Sequence, residues 1–208
     1  AAALAQYELA LTAFPDDPDL RLAIGLAQQA LLRLDAALES YERALAMAPG
    51  HVLARWHRAL LLLLKGDYAR GWQDYEIRHL GEGRPKRSFK AAPWEGQSLQ
   101  GRTVLVYAEQ GLGDEIMFAS CLPEIIAAAG NCIIDCHPGL QALYRRSFPG
   151  ARVHGGTQFD DASWLDGCPY PDYQVSVGSL PRLLRGGPER FPRHQGYLRA
   201  EPRDVCAW

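Results

Sequence analysis

No apolar run in this chain is long enough to cross a bilayer: the longest, Ala59 to Leu64, is six residues, against the roughly 20 a spanning helix needs. Strong charge of one sign is also missing. With 22 Lys and Arg against 24 Asp and Glu, the net charge is −2, which argues against a partner held by bulk electrostatics, whether nucleic acid or a membrane surface. Cysteine is sparse and odd in number, five in all at 121, 132, 136, 168 and 206. Most lie in apolar stretches, so they read as reduced core residues and not as a disulfide framework. Cys132 and Cys136 share one strand-like segment and miss the C-x-x-C spacing of a metal or redox pair. No zinc, Ser/His/Asp or Cys/His spacing stands out, and the adjacent Asp160 and Asp161 sit in a polar stretch where carboxylates are solvated. No metal and no cofactor is therefore expected, and the setting expected is reducing and cytoplasmic. An initiator Met and a signal peptide are absent too, and the first residues are already helical in pattern. The reading is a piece of a longer chain.

What is present begins with a repeat. A shift of 34 residues aligns Tyr7, Tyr41 and Tyr75, each followed by Glu, and pairs Ala3 with Ala37, Leu4 with Leu38, Ala10 with Ala44, Leu11 with Leu45 and Pro15 with Pro49. Self-similarity at this period marks stacked helical hairpins. Small residues let helices approach, the Tyr fills the gap between them, and the Pro stops the second helix. The pattern resembles the tetratricopeptide repeat, with Ile24, Gly25, Ala37, Tyr41, Ala44 and Pro49 in the positions of one complete unit. Helices are predicted at 1–13, 18–32, 35–48, 52–65 and 68–79. The helix at 52–65 is apolar nearly all round, so it is expected to be largely buried, with Leu60, Leu63 and Leu64 among its contacts and Trp72 helping to cover it. Such an array offers a groove for a protein partner or a dock for the next domain.

Residues 81–101 follow neither period and carry Gly, Pro and basic residues, the pattern of a solvated linker ending in an ordered turn where Trp94 packs on the next domain. From 102 to 208 the pattern alternates β and α. Thr103 to Tyr107 is a short apolar run bounded by turn residues, as suits a parallel strand covered on both sides. After it come Gly111, Gly113 and Asp114, and then helical spacing that places Met117, Cys121, Ile125 and Ala128 on one face, with Phe118, Leu122 and Ile126 beside them. The glycines are read as permitting a tight turn, Asp114 as the helix cap, and Glu115 as a favourable first-turn charge. Further strands are expected at 132–136, 151–154 and 173–177, with helices at 140–148 and 180–184. A long loop with little core is expected at 156–172, an extended stretch at 188–193, an edge strand at Tyr197 and Leu198, and a new helix from Pro202. This is a parallel sheet with helices on both faces. Ligands bind such sheets at the carboxyl ends of the strands, so Gly111, Gly113, Asp114, His137 and Ser179 are candidate site residues. The dinucleotide fingerprint is not met, because Ile116 stands where a third glycine belongs.

Trp94, Gly96, Ser98 and Leu99, then Ala108 to Glu115, Leu122 with Pro123, Ser179 to Pro181, and Tyr197 with Leu198 together resemble bacterial tetratricopeptide proteins that carry a glycosyltransferase-like domain related to the heptosyltransferases. Gly71, Trp72, Tyr75, Glu76 and Arg78 are similar to the final repeat of those proteins. The resemblance implies the acceptor-side, Rossmann-like half of a two-lobed GT-B fold. It further implies transfer of a sugar from a nucleotide-sugar donor to an acceptor hydroxyl, with Asp114 as the base and Gly111, Gly113, His137 and Ser179 as substrate contacts. Pro123 falls nine residues after Asp114, about a helical turn later than in heptosyltransferases. The donor-holding half is expected to lie beyond Trp208, and the chain alone is expected to be inactive. The contrasting possibility is a non-catalytic repeat scaffold with a degenerate α/β domain.

Overall fold

The computed structural model describes residues 2–80, 89–157, 161–193 and 196–205. The chain divides near residue 85 into two compact units. Much of the expected linker (81–88), together with Asp160, Cys206 and Trp208, lies outside the described residues.

The first unit is a run of helices: α1 (Ala2–Ala13), α2 (Pro18–Ala30), α3 (Leu34–Met47), α4 (Val52–Leu64) and α5 (Tyr68–Tyr75), the last continuing as a 3-10 turn at Glu76–Leu80. Each packs on the next, and α2 also touches α4. The starts of α2 and α4, and those of α3 and α5, are separated by the 34 residues of the sequence repeat. Local chemistry sets the boundaries. Asp17 caps α2, its Oδ1 accepting from the backbone N–H groups of Asp19 (2.8 Å) and Leu20 (3.2 Å), and Pro18 opens the helix without needing a hydrogen bond. Asp17→Ala is expected to lower stability by about 0.5–2 kcal/mol in a denaturant titration. His51 and Asp67 cap α4 and α5 in the same way.

The core of this unit gathers Leu22, Ala37, Tyr41, Ala44, Leu45, Ala54 and Leu61. Tyr41 lies against Gly25, where an added Cβ would come within 2.4 Å of the ring, so the glycine permits the close approach of α2 and α3. The expectation for α4 needs correction. Leu60 and Leu64 are 37% and 68% exposed and Leu53 is exposed as well, while Ala54, Ala59, Leu61 and Leu62 are buried. Neighbouring helices cover one stripe of α4, and positions 53, 60 and 64 recur at helical spacing on the stripe left open. Leu63 is half-buried against Gly71. Trp72 stands edge-on to Tyr75, whose ring also meets Trp56 of α4.

The second unit is a Rossmann-like domain built on an all-parallel sheet of five strands: β1 (Ala92–Pro93), β2 (Thr103–Tyr107), β3 (Asn131–Cys136), β4 (Arg152–Gly155) and β5 (Tyr173–Ser176), in the order β1-β5-β2-β3-β4. The short edge strand β1 lies inside the stretch expected as linker; the backbone N–H of Trp94 reaches Gln174 O at 2.8 Å, and the Trp94 side chain is buried. At the start of β2, the Asp172 carboxylate accepts from Thr103 N (2.8 Å) and Arg102 (3.0 Å), fixing β2 against β5; these hydrogen bonds, the backbone one first, hold its carboxyl below the usual aspartate range.

The link from β2 to β3 runs through α6 (Leu112–Phe118), a 3-10 turn at Ala119–Cys121 and α7 (Leu122–Ala128). The helix expected to run unbroken is divided here because Pro123 has no N–H for the Ala119 carbonyl. Its buried face is Glu115, Phe118, Ala119, Cys121, Leu122 and Ile125, whereas Met117 and Ala128 are exposed, contrary to the expected stripe. From β3 to β4 the chain passes through a 3-10 turn at Pro138–Leu140 and α8 (Gln141–Ser147), and β5 leads into α9 (Leu180–Leu184). The α9 end joins the layer of α7 through buried Arg185, which donates to Glu124 Oε1 (2.5 Å) and Ser120 O (3.3 Å).

Among the described residues, the helices expected on both faces lie on one, where Glu115, Leu122 and Tyr144 of α6, α7 and α8 surround Val106 and Ile134. The other face is crossed by the return from β4 to β5, which carries a 3-10 turn at Ser163–Gly167. Leu165 of that turn packs on Leu105 and Ile133, with Phe89 and Trp164 beside them. This segment, expected to hold little core, supplies a residue that is 4% exposed. Residues 188–190 form a 3-10 turn instead of an extended stretch. Tyr197 and Leu198 add no strand: Tyr197 Oη donates to Ile116 O (2.9 Å) and Arg199 N to Ser147 Oγ (2.9 Å), strapping the chain over the helices before α10 (Pro202–Val205). Among the described residues no helix is long and apolar enough to cross a membrane.

Candidate functional site

Strand order reverses at β2, with β3 on one side and β5 on the other. The crevice beyond the carboxyl ends at such a reversal is where open α/β sheets hold ligands. The loop after β2 delivers Gly111 to Asp114, and the turn after β5 is Val177–Ser179, against which α6 packs.

Gly111 is the N-cap of α6, with φ −81° and ψ 166°, and Asp114 is its third residue and not the cap. Asp114 reaches back, its Oδ2 accepting from Gly111 N at 3.2 Å, one half of a reciprocal cap. Neither Gly111 nor Gly113 has a positive φ, and a Cβ at Gly113 would meet nothing within 4 Å. The turn itself therefore does not require these glycines, contrary to the expectation; what they leave is open space at the strand ends.

His137 follows β3. Its backbone N–H donates to Glu115 Oε2 (3.0 Å), which ties the end of β3 to α6, and its ring Nδ1 accepts from Gly139 N (3.1 Å). Ser179 is buried, its Oγ 2.9 Å from Ser176 Oγ. The structure thus brings Gly111, Gly113 and Asp114 together in the first turn of α6, His137 to the same helix through Glu115, and Ser179 to the turn packed on that helix.

Two buried carboxylates are absent from the candidate site residues read from the sequence. Glu115, 3% exposed, receives His137 N–H while its own carbonyl accepts from Tyr144 Oη at 2.8 Å. Burial first, and then the Glu115 charge, push the Tyr144 hydroxyl well above the usual tyrosine range. Glu115, Tyr144, Cys136, Ile134, Val106 and Val177 help line a cavity of about 10 Å³ at the carboxyl end of the sheet, room for about one water. Asp135, 1% exposed, belongs to a row across the sheet: Ser176, Tyr107, Asp135 and His154 are in register on β5, β2, β3 and β4. Residues in register on parallel strands share a face, so a polar row caps the apolar layer of Leu105 and Ile133. The usable signal was a lone Asp within the apolar run Cys132 to Cys136, since a fully buried carboxylate is rare without partners.

The thiols are inert by the same burial. Desolvation raises Cys121 to about 11 and Cys132 and Cys136 to about 12. The folded protein holds these protons above the ordinary thiol value near 9, so their contribution to stability is complete below that value and is lost as pH rises toward 11–12. Native-state alkylation at pH 8 followed by mass mapping is expected to leave Cys121, Cys132 and Cys136 unmodified and to label the half-buried Cys168 before any of these three. Among the described residues, no group of three or more His, Cys, Asp or Glu side chains is placed to hold a metal ion.

Fold and site together define a run of helical hairpins joined to a Rossmann-like parallel-sheet domain. No protein-family profile matches the chain. Protein FlbA of Caulobacter vibrioides is 32% identical over an alignment of 218 residues that takes in 92% of this chain and 36% of FlbA. The chain therefore spans little more than a third of that relative. Among solved structures, a mutant O-GlcNAc transferase of Thermobaculum terrenum aligns with 79% of this chain and 39% of its own, at 16% identity and a TM-score of 0.35, a superposition too loose to bear on the site.

Proposed function

We propose that this chain is a tetratricopeptide module (residues 1–80) and the acceptor-side half of a GT-B glycosyltransferase (102–208), joined by a stretch (81–101) whose β1 is taken into the second unit's sheet. In the whole protein a sugar passes from a nucleotide-sugar donor to an acceptor hydroxyl. The observation that carries the reading is the start of α6, Gly111 to Asp114. It stands at the point where strand order reverses, offers a carboxylate, and has an open glycine that the turn does not require. Asp114 takes the proton of the acceptor hydroxyl as that oxygen attacks the sugar and the bond to the nucleoside diphosphate breaks. Gly111 and Gly113 let the acceptor approach the backbone, while His137 and Ser179 border the same edge. The donor's diphosphate is held by a second α/β half that is not among these 208 residues.

Calorimetry with a panel of nucleoside-diphosphate sugars on this 208-residue chain tests the division of labour. Binding weaker than millimolar is expected, and micromolar binding contradicts it. One observation favours a second reading, a repeat scaffold whose α/β domain binds without catalysis. Asp114, His137 and Ser179 each satisfy a local partner, respectively Gly111 N, Gly139 N and Ser176 Oγ. On that reading Asp114 is a helix-capping residue and nothing more.

A further inference from the structure

The outer side of α6 does not match the chemistry of its inner side. The helix sits at the carboxyl edge of the sheet: its Glu115 receives the N–H of His137 after β3 (3.0 Å), and it packs on the turn Val177–Ser179 after β5. Glu115 and Phe118 are its buried residues. On the opposite side Leu112, Ile116 and Met117 are 45%, 36% and 51% exposed, and Gly113 is exposed with them. With 3.6 residues per turn these four positions sweep one continuous arc of about 140°. No charged or hydrogen-bonding side chain interrupts it. A helix on a protein surface ordinarily turns its polar face to water; α6 buries a glutamate and shows water leucine, isoleucine and methionine.

Two neighbours give this face its context. Asp114, half-buried, borders the arc beside Met117, one turn away on the same helix. The strap reaches α6 from the other direction, Tyr197 Oη donating to Ile116 O at 2.9 Å. Size then narrows the choice of cover. Three partly exposed side chains offer far less than the roughly 800 Å² per partner on which separate proteins associate stably. A surface linked within one chain needs no such area, because the linkage itself raises its effective concentration. These 208 residues span little more than a third of the relative they match, so the greater part of such a chain remains to supply the cover.

We propose that the apolar arc Leu112, Gly113, Ile116 and Met117 is the docking surface for the second α/β half of the whole protein. The inference rests on the transferase reading for the identity of that occupant. Docking removes the three side chains from water together, which drives the contact. Because Asp114 borders the arc, the same contact closes the crevice beside it and excludes bulk water from the place where donor and acceptor meet. One helix thus offers a carboxylate to the chemistry and an apolar face to the half that holds the donor.

Methionine oxidation by dilute hydrogen peroxide, followed by peptide mass spectrometry, reads this face directly. The chain has two methionines, one in each unit: Met117 in the arc and Met47, 38% exposed at the end of α3, as the reference. In the 208-residue chain Met117 is expected to oxidise at least as fast as Met47. In the full-length protein the ratio of the Met117 rate to the Met47 rate is expected to fall about fivefold or more, and an unchanged ratio overturns the docking surface. Protection of Met117 that appears in the 208-residue chain as its concentration rises assigns the face to a second copy and overturns it too. Met117→Glu places a charge in the arc. The melting temperature of the 208-residue chain is expected to be unchanged by it, while protease is expected to cut the full-length variant between its halves several-fold faster than wild type; equal cleavage counts against the proposal. Full-length protein that protects Met117 yet releases no nucleoside diphosphate ends the transferase reading and leaves the docking surface standing. Release without protection does the reverse.

Discussion

Replacing Tyr41 with alanine is expected to lower the stability of the helical unit by about 3–5 kcal/mol, the range for removing a large buried aromatic. Tyr41 is fully buried, donates from Oη to Gln29 Oε1 at 2.7 Å, and lies stacked with His57 at 6.0 Å between ring centroids. It therefore joins α3 to α2 and to α4 at once. Gly25 deepens the loss, because it has no side chain with which to refill the space. Tyr41→Phe keeps the ring and gives up only the hydroxyl contact, so its cost is expected near 0.5–1.5 kcal/mol. Burial also pushes the Tyr41 hydroxyl up to about 12. That proton is kept in the folded state beyond the ordinary tyrosine value near 10, so this contribution is complete below 10 and is lost as pH rises toward 12. Denaturant unfolding of the two variants beside the wild type measures both differences.

The second large effect concerns activity. In the full-length protein Asp114→Asn is expected to reduce the rate of sugar transfer about 100- to 10,000-fold, the range associated with losing a general base. Asparagine has nearly the same shape and retains an oxygen able to accept from Gly111 N, so the start of α6 is preserved while the proton acceptor is lost. Initial rates at saturating donor, with circular dichroism to confirm the fold, separate chemistry from stability. A variant that transfers at the wild-type rate returns Asp114 to the role of a capping residue.

Much of this architecture was legible in the residues. The 34-residue repeat places the helices of the first unit to within a few residues because Pro15, Pro49 and Asp17 act locally, and the largely apolar runs at 103–107 and 132–136 give β2 and β3 for the same reason. What failed depended on neighbours that one sequence does not reveal. The run Leu60 to Leu64 shows apolar character, but which of those leucines α3 and α5 cover is a matter of packing. Leu165 looks like an isolated apolar residue in a polar loop until the return from β4 to β5 is seen to cross Leu105 and Ile133. Ala92 and Pro93 become a strand only because β5 is there to pair with them.

The site divides in the same way. Gly111, Gly113 and Asp114 fall within four residues, so their shared helix start could be read from the chain, although the reason given for the glycines was wrong. Glu115 was visible as a first-turn charge; its burial and its bond to His137 N come from α6 lying against the end of β3. Asp135 and His154 are 19 positions apart in sequence and stand side by side only through the β3–β4 register.

The most direct measurement of the central claim is release of nucleoside diphosphate from a panel of nucleotide sugars by the full-length protein, assayed beside the 208-residue chain. The account predicts release by the full-length protein with at least one donor and none by the 208-residue chain with any. Release by the short chain, or no release by the full-length protein with every donor in the presence of hydroxyl-bearing acceptors, would contradict it.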